Sequence, residues 1–199
     1  MMVSFEKQPQ IKKDAAADKK SLLSTNPVVQ SIMGRRSIRT FEKREVEAEK
    51  VKILLECAFA APSAMNIQPC HFIAIENQAL LEKIGAASER TRMVAGVPLA
   101  IAVCVDVAQY EKIHKLTDGT WMEDGACAMQ NMLIAARALG LEGFWLQIAN
   151  RREREDAVPP LLQLPVGVRL LAMAVLGYGA ESKAPHSRMD RTRLHHGIW

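Results

Sequence analysis

The sequence predicts an α+β protein, a central sheet with helices on both sides. Three observations predict it. Helical spacing of apolar residues recurs over the first half of the chain, two short apolar runs read as strands buried on both faces, and a long alanine- and methionine-rich helix lies between those runs.

Asn26-Pro27 opens the first convincing helix, Asn as N-cap and Pro at the first helical position. Val28, Val29, Ile32 and Met33 form its apolar stripe, and Gly34 ends it. Val51, Leu54, Leu55 and Ala58 set a second helix from Glu47 to Ala61, stopped by Pro62. A loop to Pro69 leads into a strand near His71 to Glu76, and helical spacing returns from Ala79 to Ala87. Val97 to Val105 is the first buried strand, and Thr120 to Leu139 is the long helix, with Gly140 past its end. Phe144 to Ile148 reads as a short strand and Leu170 to Leu176 as the second buried one, ended by Gly177-Tyr178-Gly179. Residues 1–25 read as an N-terminal arm, residues 26–199 as one domain, and the polar, basic stretch from about 180 as a C-terminal arm.

The 199 residues are 49 % hydrophobic and 24 % charged, an ordinary globular balance. No apolar segment follows the first charges, and no run is long enough to span a bilayer, so a cytoplasmic protein with no membrane partner is expected. The net charge of +4 is scattered, and 5 % aromatic content offers no stacking platform, so no nucleic-acid partner is expected. Cys57, Cys104 and Cys127 lie in apolar runs, as buried free thiols would, and no cysteine pair has metal spacing. His71, His114, His186, His195 and His196 form no zinc motif, and no metal is expected. Glycine-rich dinucleotide and phosphate loops are absent, as is a GxSxG nucleophile elbow.

Three segments can carry chemistry. In Arg35-Arg36-Ser37-Ile38-Arg39, an extended backbone points Arg35, Ser37 and Arg39 to one face, a phosphate clamp or a solvated basic turn. Pro62 to Phe72 presents Ser63, Asn66 and Gln68 between stiffening prolines, which suits a flat polar heterocycle or an ordinary connection. Gly140 to Gln147 (GLEGFWLQ) can bring a backbone N–H against a ligand, or Trp145 can be simple core.

In this order, RRSIR, PSAMNIQPCHF, the long Ala/Met helix and GLEGFW resemble the nitroreductase family, over roughly Asn26 to Trp199. The resemblance implies a central, mostly antiparallel sheet flanked by helices, in an intertwined homodimer with FMN at the subunit interface. Carried over residue by residue, Arg35, Arg36, Ser37 and Arg39 would hold the FMN phosphate, ribityl chain and pyrimidine edge. Pro62, Ser63, Ala64, Met65 and Asn66 would reach the FMN bound mainly by the partner chain, with Gln68 supporting the loop. Trp145, Leu146 and Gln147 would lie along the isoalloxazine, and Arg188 would add a phosphate contact. Two departures stand out: Cys70 follows Pro69 where the family usually has Trp, and Gln147 stands where it often has Gly or Glu.

The implied activity is ping-pong electron transfer from NADH or NADPH through FMN to a nitroaromatic, quinone or similar small-molecule acceptor. No side chain is required as a catalytic acid. The alternatives are an ene-reductase, dehalogenase or flavin-consuming member of the family, a non-catalytic flavin-binding protein, and a basic adaptor.

Overall fold

The computed structural model describes residues 25–112, 119–184 and 189–199. Apart from Thr25, the expected N-terminal arm lies outside the described residues, as do His114, His186 and Arg188.

The elements are α1 (Pro27–Gly34), α2 (Ala48–Phe59), β1 (Cys70–Ile75), α3 (Gln78–Ala86), β2 (Leu99–Asp106), α4 (Ala108–Glu111), α5 (Thr120–Ala138), β3 (Glu142–Gln147), α6 (Arg152–Ala157) and β4 (Val168–Gly177). The four strands form one antiparallel sheet in the order β1-β2-β4-β3. β2 and β4 are central, and their apolar runs are buried on both faces. Leu99, Ile101, Val103 and Val105 of β2 join a core with Leu54 and Ala58 of α2 and Met129, Met132 and Leu133 of α5. The intervening Ala100, Ala102 and Cys104 join the opposite core, with Leu81 and Ile84 of α3. Strand alternation thus gives the sheet two helical layers.

Local chemistry sets the element ends. The Asn26 side chain accepts from the N–H groups of Val28 and Val29 at 3.0 and 3.1 Å, and Asn77 caps α3 through the Leu80 N–H at 3.0 Å. At the bulge between β2 and β4, Leu171 is the extra residue. Its carbonyl accepts from both Ile148 and Ala149, at 3.1 and 2.9 Å, where the chain leaves β3.

Two expectations need correction. The apolar stripe of α1 is not core: Ser31 faces inward, while Val28, Ile32 and Met33 are about half exposed or more. Of the three cysteines expected inside, only Cys104 is buried. Cys57 is half-buried, and Cys127 is exposed because it shares the outer stripe of α5 with Glu123 and Gln130.

The α3 layer is fitted to a glycine. A Cβ on Gly85 would lie 2.7 Å from the Ala95 Cβ and 2.9 Å from its backbone nitrogen. Alanine favours a helix over glycine by about 1 kcal/mol, but here the blocking atoms include backbone, which cannot swing away. Gly85→Ala is therefore expected to destabilise the fold by about 1–3 kcal/mol, read as a fall of several degrees in Tm.

Candidate active site

β3 is an edge strand, and among the described residues its outer edge is closed only at the start. Ser37 makes a parallel bridge to Gly143, and the Ile38 N–H donates to the Gly143 carbonyl at 3.2 Å. Gly143 lets β3 lie close against β4 here, because a Cβ there would run into the Val175 carbonyl and sit 2.6 Å from Leu176 Cδ2. Backbone groups in a strand alternate direction, so the edge that Gly143 turns outward is also turned outward by Trp145 and Gln147. Phe144 and Leu146 instead pair inward with Val175 and Met173 of β4.

The Arg35–Arg39 segment is held on both sides. Phe41 bridges to Gly179, the Glu42 N–H donates to the Tyr178 carbonyl at 2.8 Å, and the Ala180 N–H donates to Thr40 at 2.9 Å. The chain beyond β4 then folds back over the segment. Glu181 accepts from the backbone N–H groups of Arg39 (2.7 Å) and Thr40 (3.3 Å), and Lys183 donates to the Ser37 carbonyl at 2.6 Å. These contacts, the Arg39 N–H first, then Lys183, hold the Glu181 carboxyl below its ordinary range. The Arg39 guanidinium sits 5.3 Å from the Phe144 ring centroid. Arg36 donates to the carbonyls of Met33, Arg35 and Ala184, so it fastens the segment to the C-terminal stretch. Glu181 carries no periodicity or motif of its own, and only the fold reveals its part.

Trp145, Leu146 and Gln147 end β3. The Trp145 indole donates to the Gln147 side chain at 2.6 Å, and the Gln147 amide donates to the Ala149 carbonyl at 2.9 Å. Arg154 of α6 donates to the Gln147 carbonyl. The Leu146 side chain is buried in the α3-side core, leaving only its backbone near the edge. Gln147 lies four residues past Gly143, roughly 13 Å along the strand.

The Pro62–Pro69 loop is elsewhere. It enters the sheet through β1, the opposite edge, three strand spacings or roughly 14 Å from β3. Arg35–Arg39 and Trp145–Gln147 are thus brought together within one chain, and the third segment is not.

That loop is strained and anchored. Met65, Asn66 and Gln68 all have positive φ, at 49°, 56° and 53°. Such backbone persists only where its surroundings impose it. Here the Gln68 N–H donates to Ser63 Oγ at 2.9 Å, and the Ala64 N–H donates to Asp124 at 2.9 Å. Asp124 on α5 is 6 % exposed, and its other oxygen accepts the Tyr110 hydroxyl at 2.5 Å. Burial first, then the Asp124 carboxylate, pushes the Tyr110 pKa up, so the hydroxyl remains a donor. Asp124 shows no signal in the sequence beyond being a charge within an apolar helix.

Cys70, where the family usually has Trp, lines a hollow of about 30 Å³ with Phe59, Pro62, Ser63 and Asp124. Burial first, then the charges of Asp124 and Cys127, pushes its thiol up to about 11. It is not an activated nucleophile. Among the described residues no group of His, Cys, Asp and Glu could hold a metal, and no helix is long and apolar enough to cross a membrane.

Two outcomes follow from this geometry. Asp124→Ala leaves two donors unpaired and is expected to cost about 2–4 kcal/mol in urea unfolding, with faster proteolysis in the 62–69 loop. Asp124→Asn, which can still accept from Ala64, should lose clearly less. With iodoacetamide at pH 8, mass spectrometry should find exposed Cys127 alkylated well before Cys70.

The family model described as "Nitroreductase family" matches residues 32–114 and 89–178. A Methanothermobacter thermautotrophicus protein whose name pairs NADH dehydrogenase with NAD(P)H nitroreductase is 36 % identical over 177 residues, 89 % of this chain and 90 % of the relative. A Bacillus subtilis FMN reductase [NAD(P)H] is 25 % identical over 184 residues, 86 % of this chain and 73 % of the relative. The solved structure of an FMN-dependent nitroreductase from Clostridium difficile superposes with a TM-score of 0.76 at 25 % identity, covering 85 % of this chain and 98 % of the other. With the family model spanning well over half its length and a relative above 30 % identity over nearly all of it, this chain belongs to the nitroreductase family.

Proposed function

We propose that this protein is an FMN-dependent oxidoreductase that passes electrons from NAD(P)H to an electron-poor organic acceptor, such as a nitroaromatic or a quinone. The family, and relatives named for FMN and NAD(P)H, support the class. The single observation that carries the residue assignment is the half-open edge of β3, which begins at a cationic segment and ends at outward N–H groups.

The residues present fit FMN. Arg35, Ser37 and Arg39 supply cations and a hydroxyl for the phosphate and the polar edge of the ring, and Arg36 keeps the segment in shape. The outward N–H groups of Trp145 and Gln147 can donate to a flat heterocycle lying against the edge, with Leu146 holding the strand in register. Arg188, outside the described residues, is kept as a further phosphate contact. When bound, FMN supplies the redox chemistry, taking hydride equivalents from the nicotinamide and releasing them to the acceptor. The positive charge of Arg39 would favour an electron-rich ligand beside it.

The remaining segment supports a homodimer. Pro62, Ser63, Ala64, Met65, Asn66 and Gln68 sit at the wrong edge for their own chain's β3, so in this reading they complete the partner's site. Exposed Val28, Ile32 and Met33 on α1, Phe59 at the end of α2 and Met65 in the loop give an apolar surface for the second copy. One open face used in turn by nicotinamide and acceptor gives ping-pong kinetics.

Arg39→Ala is expected to keep the fold and weaken FMN retention by about tenfold, the size of one lost charge-assisted hydrogen bond. Flavin reduction should also slow. Equilibrium dialysis and anaerobic stopped-flow with NADH and NADPH, followed by addition of a nitroaromatic, read both; unchanged flavin content and rate would reject the assignment.

A further inference from the structure

We propose that an arginine cleft at the foot of β3 binds the 2′-phosphate of NADPH and makes the enzyme prefer NADPH to NADH; the inference rests on the function proposed above. The cleft, about 370 Å³, is lined by Arg90, Arg151, Arg152, Glu153 and Arg154. Four arginines and a single carboxylate residue line it, in a chain whose whole formal excess is +4.

The cluster is not merely a basic run. Arg151, Arg152 and Arg154 follow directly on β3, while Arg90 arrives from the loop after α3, some sixty residues earlier in the chain. Among the described residues the ion pairing of the cluster is slight. Arg152 leans on Asp156 at 3.8 Å with both side chains largely in solvent, and Arg151 lies 3.5 Å from the Asn150 carbonyl. Bringing like charges around one hollow costs energy that an anion recovers, and guanidinium forks match phosphate oxygens in pairs.

Position selects the anion. The clamp proposed for the FMN phosphate is at the Gly143 end of β3, so this cleft, beyond Gln147, belongs to something else. Arg154 links the two places, because its guanidinium donates to the Gln147 carbonyl. In the proposed reading a nicotinamide stacked near Gln147 sends the rest of its dinucleotide outward past the end of the strand, toward Arg154. NADPH differs from NADH only by a phosphate on the adenosine ribose, which a cluster of arginines reads as charge.

Titration calorimetry with adenosine 2′,5′-bisphosphate and with 5′-AMP tests the site without turnover. The wild-type protein should bind the bisphosphate about tenfold more tightly than AMP, and added salt should erode that preference. The surface variants Arg151→Ala/Arg152→Ala and Arg90→Ala should lose it, with KM for NADPH raised by the same factor and KM for NADH unmoved. Equal binding of the two nucleotides by wild type, or an unchanged preference in both variants, would overturn the proposal. Flavin absorbance of the same samples judges the function reading separately: a yellow protein with no bisphosphate preference sinks the cleft alone.

Discussion

The N–H of Ile38 donates to the carbonyl of Gly143, and this one bond divides the edge of β3 in two. Above it the edge is paired, so the Arg35–Arg39 segment is drawn flush against the sheet. Below it the edge of Trp145 and Gln147 faces outward, and among the described residues no strand is laid along it. An uncovered edge is normally a hazard, because its backbone groups will pair with any strand offered. Here the hazard is limited to two residues, and the chain leaves the strand immediately after them through the Leu171 bulge. A short, fixed row of donors beside a cationic corner is what a flat anionic ligand needs.

Much of this layout was legible in the sequence. All four strands and the four long helices appear where the apolar spacing placed them, because β2 and β4 are so completely buried that few other patterns could fill them. α4, α6 and the turn at Pro159–Leu162 were not legible; they are short and carry too few apolar positions for periodicity to register. The α1 stripe was visible but its direction was not, since a sequence shows that a face is apolar without showing what will cover it. Cys127 misled for the same reason: an Ala/Met-rich neighbourhood looks like core on every side of the helix.

At the candidate site, the segments with motifs were legible in the sequence and most of the residues that hold them were not. Ser63, Asn66 and Gln68 stand out as a small, amide-rich loop, but nothing in that string requires three positive φ angles. Part of the anchoring comes from Asp124, sixty positions away, which fixes the Ala64 N–H from within the long helix. Likewise nothing in the sequence says that Nε and Nη1 of Arg36 donate to the carbonyls of Met33, Arg35 and Ala184. Side chains that act through backbone carbonyls and amides are invisible to pattern reading, since any residue can supply the partner.

Charge then gives the half-open edge a direction. At its upper end Glu181 tempers the cations: it pairs with Lys183 at 3.4 Å and accepts the Arg39 and Thr40 N–H groups, so the segment is held in place before any anion arrives. At its lower end Arg154 is held by the Gln147 carbonyl, while Arg151 and Arg152 beside Glu153 have only long or solvent-exposed partners among the described residues. A pre-neutralised corner suits a ligand that stays, because the empty site costs little. An under-neutralised cleft suits a ligand that comes and goes, because its field reaches into solvent and draws an anion in. On the proposed function, the two ends of β3 differ as a resident cofactor and a transient co-substrate would require.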